Sequence, residues 1–170
     1  GPGKFLWGCH NVWLQYRYSQ DTEILAPLRD MLIGGVNSIL ATMETDEAGQ
    51  LNLPNGRSWE SKEGRNATCI LAILNWSLET LVVIEDKLGL TGEDKDWAAI
   101  RSRIADYPED PELGYLLAEN EAPVAHRHWS HLLQIFPLHL VNWDQEENRE
   151  KIKQSIDVWA QLSAGLGDDL

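Results

Sequence analysis

Basic residues are scarce in this chain: 14 Lys and Arg stand against 27 Asp and Glu, a formal net charge of −13 at pH 7. So acidic a surface repels phosphate, and neither nucleic acid nor an anionic membrane is an expected partner. Cysteine is almost missing. Cys9 and Cys69 are the two present, too few for a disulfide framework, and they read as buried thiols that leave the redox compartment open. No apolar run approaches the roughly 20 residues a membrane span needs, and the N-terminus has neither the basic segment nor the apolar core of a signal peptide. Period-two alternation with β-branched residues is lacking as well, so a short ribbon is expected only in "GQLNLPNGRSWE".

What is there suits a globular helical protein. The chain has 170 residues, 43% of them hydrophobic, enough for one domain with a core. Tryptophan is over-used: eight occur, at positions 7, 13, 59, 76, 97, 129, 143 and 159. Their flat faces suit a helical core or stacking on a sugar ring, and core is expected for most. Gly1-Pro2 resembles the scar left by a tag-cleaving protease, so residues 1–170 read as a single helical domain cut from a larger one.

Apolar spacing predicts three helical pairs. An aromatic helix spans about Leu6 to Tyr18 and is followed by an amphipathic one, capped by Asp21 and running through Ile24, Leu28, Leu32, Val36, Leu40 and Met43. Gly34-Gly35 inside it could mark a close helix crossing or a bend, and the sequence does not separate the two, with packing the safer reading. Asn66 to Leu88 is apolar on nearly every face, the pattern of a buried helix, and Asp96 to Tyr107 carries a single stripe. A third apolar helix is expected from about Trp129 to Val141, then an amphipathic one from Gln145 to Ala164. The fold class is therefore all-α: three antiparallel helical hairpins whose inner and outer helices alternate as in an α/α toroid. The sequons at Asn66 and Asn75 are discounted, the second because it lies in the buried helix.

Three polar clusters fall at or near the starts of the expected inner helices: "GCHN" (8–11), "RSWESKEGRN" (57–66) and "HRHWSH" (126–131). Free N–H groups and the positive dipole end there suit oxygen-rich ligands. His126, His128 and His131 number enough for zinc, but their spacing fits no common tetrahedron and no cysteine is near, so no metal is expected. Neutral histidines can instead sort sugar hydroxyls, or merely cap a helix. Glu60, between Trp59 and Ser61 and close to Arg57, could have its acidity lowered beside an aromatic ring and serve as a proton donor; Glu63 is its nearest competitor.

"HRHWSHLLQIFP" closely resembles the His-Arg-His-x-Ser-His-Leu segment of glycoside hydrolase family 95, the inverting α-L-fucosidases and α-L-galactosidases with an (α/α)₆ barrel. "NVWLQYRYSQDTEIL" resembles the family's Trp-x-x-Tyr-x-x-Thr-Gly-Asp stretch, with Trp13, Tyr16, Asp21 and Leu25 in register, and "RSWES" sits where the family carries Ser-Pro-Glu-Asn. The resemblance implies that Glu60 is the general acid, that His10, Asn11, Arg57, Trp59, His126, Arg127, His128 and His131 contact an oligosaccharide, and that no cofactor is used. Ser19-Gln20 replaces the family's Thr-Gly, Trp59 and Ser61 flank the glutamate in place of Pro and Asn, and Ile70 stands where an Asp is typical, so a substrate other than fucose is expected.

About three of six helical pairs are accounted for. The chain then reads as part of a larger barrel, without the second carboxylate, in which Ile70, Ile73, Leu81 and Phe136 need cover from a smaller closed bundle or from self-association. Two other functions stay open: a polysaccharide lyase on the same toroid, with His or Tyr as base and Asn11 or Arg127 steadying a uronate, and a non-catalytic carbohydrate-binding domain.

Overall fold

The computed structural model describes residues 1–57, 62–92 and 95–164. Five α-helices dominate: α1 (Pro2–Ser19), α2 (Leu25–Leu40), α3 (Thr68–Leu88), α4 (Trp97–Arg101) and α5 (Arg149–Ala164). Six two-residue strands pair into three ribbons: β1 (Glu44–Thr45) with β2 (Leu51–Asn52), β3 (Gly56–Arg57) with β4 (Glu63–Gly64), and β5 (Glu109–Asp110) with β6 (Gly114–Tyr115). The chain divides into two compact units, each made of two stretches: residues 1–51 with 73–104, and residues 52–72 with 105–170.

The first unit is helical. Asp21 accepts a hydrogen bond from the Glu23 amide (3.0 Å) and caps a 3₁₀ turn, Thr22–Ile24, that leads into α2. α1 and α2 meet closely at Gly35, where a Cβ would lie 2.5 Å from Leu6 Cδ2, so the glycine serves a crossing, whereas Gly34 faces open space. Leu6, Cys9, Trp13 and Tyr16 of α1 and Leu28, Leu32, Val36 and Ile39 of α2 are buried, as are Ile73, Leu74, Trp76, Leu78, Leu81 and Ile84 of α3. By length and mean hydropathy α3 would suffice to cross a membrane, contrary to the sequence reading, but 72% of that stretch is buried, as befits a core helix. Buried Glu85 takes Arg29 Nε (3.0 Å), Arg29 Nη2 (2.8 Å) and Trp97 Nε1 (3.0 Å) onto one oxygen, so α2, α3 and α4 share one compensated charge.

α4 starts where expected, on an Asp96 cap bonded to the Ala99 amide (2.9 Å), but ends at Arg101 rather than near Tyr107. The following backbone is drawn into other bonds: Arg103 O accepts from the Leu51 amide (2.6 Å), and Leu51 bridges Ile104 in parallel.

In the second unit the expected helix from Trp129 to Val141 is replaced by one 3₁₀ turn, Ser130–Leu132, and a run of further turns. Pro137 cannot donate to a helix, and bonds such as Val141 N to Gln134 O (2.9 Å) close loops of other sizes. Leu132, Leu133, Leu138 and Val141 are still buried, so the apolar spacing reported a core without reporting a helix. The three-hairpin scheme accordingly lacks its third inner helix. Ile73 and Leu81 are buried within the chain, Ile70 is half-buried, and Phe136 alone of the four is exposed.

α5 joins this unit through a tight fit at Gly114 (φ 75°), whose Cβ would lie 2.2 Å from Ser155 Oγ and 2.9 Å from the Ser155 amide nitrogen. Ser155 Oγ accepts from the Tyr115 amide (2.9 Å) and donates to Lys151 O (2.7 Å). Tyr115, Val141 and Ile152 form a small apolar core with Tyr107 and Ile135 against it. Burial, and secondarily Glu109, pushes the Tyr115 phenol up to about 12. Both cysteines are free and buried, and desolvation raises the Cys9 thiol above its ordinary value.

Candidate active site

Residues 52–57 and 62–67 lie ahead of α3, which begins at Thr68, and carry the β3–β4 ribbon. Gly56 stands opposite Gly64 and Arg57 opposite Glu63 in the β3–β4 ribbon. Ser58, Trp59, Glu60 and Ser61 lie outside the described residues; in sequence Glu60 falls midway between the cross-strand partners Arg57 and Glu63. Arg57 and Glu63 form a largely exposed ion pair (3.5 Å), a contact of small energetic weight in water. The ribbon's stem is compact: a Cβ on Gly56 would meet Leu53 Cδ2 at 2.5 Å and Ala67 Cβ at 2.8 Å, and one on Gly64 would meet Ala118 Cβ at 2.7 Å.

Asn66 organises the base of this ribbon. It takes a left-handed backbone (φ 53°), a conformation asparagine tolerates better than most residues. Its backbone amide donates to Leu53 O (2.9 Å), and its side-chain Oδ1 accepts from the Leu53 amide (2.8 Å). Its Nδ2 donates to Asn52 Oδ1 (2.8 Å) and to Glu119 Oε1 (2.6 Å). Next in the chain, Thr68 bonds Leu116 O through Oγ1 (2.6 Å) and Leu117 O through its amide (3.0 Å). Asn66 is buried with its amide fully engaged, so its sequon offers no free acceptor. Sequence reasoning met Asn66 only as a discounted sequon and the boundary of a polar cluster, and passed over Asn52 and Glu119.

The histidine segment does not open a helix, so the dipole argument does not apply to it; its residues sit on turns instead. His126 and His128 are half-buried with ring centroids 5.2 Å apart, and His126 Nδ1 accepts from the His128 amide (3.1 Å). A neutral His126 therefore carries its proton on Nε2, which gives it a directed donor. Arg127 is exposed. His131 is only 2% exposed, and neither ring nitrogen finds a hydrogen-bond partner among the described residues. Desolvation lowers it to about 4, so it is neutral near pH 7. Gln134, wholly buried, donates to His131 O (2.9 Å) while its Oε1 is also unpartnered among the described residues. Trp129, 38% exposed, packs edge-on against Trp159 at 5.5 Å.

"GCHN" lies in the middle of α1, not at its start, which removes the helix-terminus argument there too. His10 is buried between Trp7, stacked at 5.5 Å, and Trp76, edge-on at 5.0 Å, while Asn11 is exposed. Of the other described tryptophans, Trp13, Trp76 and Trp97 are core and Trp143 is exposed. Among the described residues no three His, Cys, Asp or Glu side chains gather to hold a metal ion.

The chain matches the model of the glycosyl hydrolase family 95 catalytic domain over residues 2–165. No curated protein matches it. With nearly its whole length matched, the chain belongs to glycosyl hydrolase family 95.

Proposed function

We propose, for this family 95 chain, that Glu60 is the general acid of an inverting glycoside hydrolase and that the histidine-rich turn binds the sugar. Membership makes the substrate a carbohydrate. Glu60 protonates the departing glycosidic oxygen, while a second carboxylate, supplied by residues beyond the motifs matched here, activates water about 6.5–9.5 Å away. His126 offers its Nε2–H, and His128 and Arg127 lie beside it in the same turn. Arg57 and Trp59 flank the acid in sequence, and His10, Asn11 and His131 complete the proposed contact set, His131 from a buried position. The sugar is other than fucose, given Trp59, Ser61 and Ile70 at positions where the resembled family carries Pro, Asn and Asp.

The observation that supports this reading is the match to the family 95 catalytic domain over residues 2–165, with Glu60 lying in sequence between Arg57 and Glu63, which pair across the β3–β4 ribbon. The test is Glu60→Gln in the full-length protein. We expect kcat to fall by more than about a hundredfold with sugar binding retained, because the amide keeps the shape and cannot act as the acid. Unchanged kinetics would remove Glu60 from the role and pass it to Glu63. The 170-residue chain by itself should bind sugar without turnover, since a lone proton donor does not make an inverting site.

A further inference from the structure

We infer that Trp129 is a stacking platform for a pyranose ring, the apolar half of a sugar-binding surface whose hydrogen-bonding half is the histidine turn beside it. The inference rests on the reading of that turn as the sugar-binding segment. The stretch 126–134 changes character at Trp129. Ser130, His131, Leu132, Leu133 and Gln134 are all buried, whereas Trp129 stays 38% exposed, and its carbonyl accepts from the Leu132 amide (2.9 Å). A run of buried residues therefore anchors the backbone of a large apolar side chain that remains at the surface. Trp129 also occupies the position that the resembled His-Arg-His-x-Ser-His-Leu segment leaves open, so the platform belongs to this sequence and not to the motif.

The ring is braced on one side. Trp159 of α5 meets Trp129 edge-on, with centroids 5.5 Å apart and planes at 72°. In such a pair one ring's edge points at the other's face, so whichever ring supplies the edge, Trp159 covers at most one face of Trp129. A braced indole has few torsions left to freeze, which lowers the entropy lost when a ligand settles on it. The exposed Trp143 of the same unit is differently placed: the Arg149 guanidinium lies over its ring at 5.9 Å, and Arg149 Nε donates to Trp143 O (2.8 Å). A pyranose is amphipathic, with hydroxyls around its rim and C–H groups on its faces whose partial positive charge suits the negative face of an indole. Its hydroxyls need directed partners, and the Nε2–H of neutral His126 supplies one from the same turn. Family membership makes the occupant a carbohydrate.

The test follows the indole N–H signals of this chain by nitrogen-15 NMR, with Trp129→Tyr assigning the Trp129 signal by deleting it. The probes are xylotetraose and the methyl glycosides of L-galactose, D-galactose and D-xylose. At least one should move the Trp129 signal, and C–H protons on one face of that sugar should shift upfield under the ring current, a signature that a purely structural tryptophan would not give. Trp129→Ala should weaken binding of the same sugar about tenfold, while Trp129→Tyr, which keeps a flat ring, should lose no more than about threefold. In the full-length protein Trp129→Ala should raise KM about tenfold with kcat within about twofold, because stacking is present in ground and transition states alike. A Trp129 signal unmoved by all four sugars, unchanged affinity in Trp129→Ala, a Tyr variant as weak as the Ala variant, or a loss confined to kcat would each overturn the platform. The Tyr variant and the ring-current shift decide the matter even if Trp129→Ala fails to fold. His126→Ala separates the two readings: if it weakens binding and Trp129→Ala does not, the histidine turn stands and the platform falls, whereas the opposite pattern supports the platform and removes His126 from the contact set.

Discussion

Lowering the pH from 7 to 4 should cost this protein stability through one residue, His131. In the unfolded chain a histidine binds its proton near pH 6.5, whereas desolvation in the folded state lowers His131 to about 4. Between those values the unfolded state holds more protons, so stability rises with pH across the window and falls as acid is added. At about 1.4 kcal/mol per pH unit, the shift corresponds to roughly 2 kcal/mol lost at pH 5 and about 3 kcal/mol below pH 4. His131→Leu removes the titration and also removes two buried nitrogens that have no partner among the described residues, a defect worth about 1–3 kcal/mol. Urea unfolding of both proteins at half-unit steps from pH 4 to pH 7.5 measures each effect, since carboxylate titrations are common to both and cancel in the difference. The variant should be at least about 1 kcal/mol more stable at pH 7, and its advantage should grow toward pH 4. Parallel stability curves would refute the reasoning and mean that His131 is protonated as readily folded as unfolded. Because His131 also belongs to the proposed sugar-binding set, the stabilised variant should bind sugar more weakly.

Gly114→Ala should destabilise the chain by more than about 2 kcal/mol, since its Cβ would strike the Ser155 backbone and its φ of 75° disfavours a side chain; thermal unfolding with a loss below 1 kcal/mol would contradict the fit between β6 and α5. Glu85→Ala should cost about 3–5 kcal/mol by removing the buried acceptor that Arg29 and Trp97 share, read by denaturant midpoint, and near-neutrality would mean that other partners or water take over both donors.

Local signals in the sequence proved readable where the structure is local. Asp21 caps the 3₁₀ turn that leads into α2, close to where its position ahead of the apolar stripe predicts, and the continuous apolar character of residues 68–88 forms the core helix α3. Failure came where partners are remote. Ile104 continues the stripe of Trp97 and Ile100, but pairing with Leu51 ends α4 early. Trp129, Leu132 and Phe136 recur at steps of three and four residues, but Pro137 interrupts the backbone bonds that a helix requires. At the candidate site, Glu60 and the histidines were legible through family resemblance, and turn geometry altered the setting of the histidines. Asn66 was not legible, because its partners Asn52 and Glu119 stand 14 and 53 residues away, and nothing in one sequence joins them.

The interleaving of the two compact units constrains how the molecule can come into being. Residues 52–72 emerge from the ribosome before the stretch 105–170 with which they pack, while residues 1–51 must wait for 73–104. All of the first unit's residues are therefore made while residues 52–72 still await their partners in the second, and Asn66 spends that interval without Glu119. A single cut anywhere between residues 52 and 104 interrupts a stretch belonging to at least one unit and leaves the other divided between the fragments. Neither unit can therefore be expressed as one continuous segment of this chain.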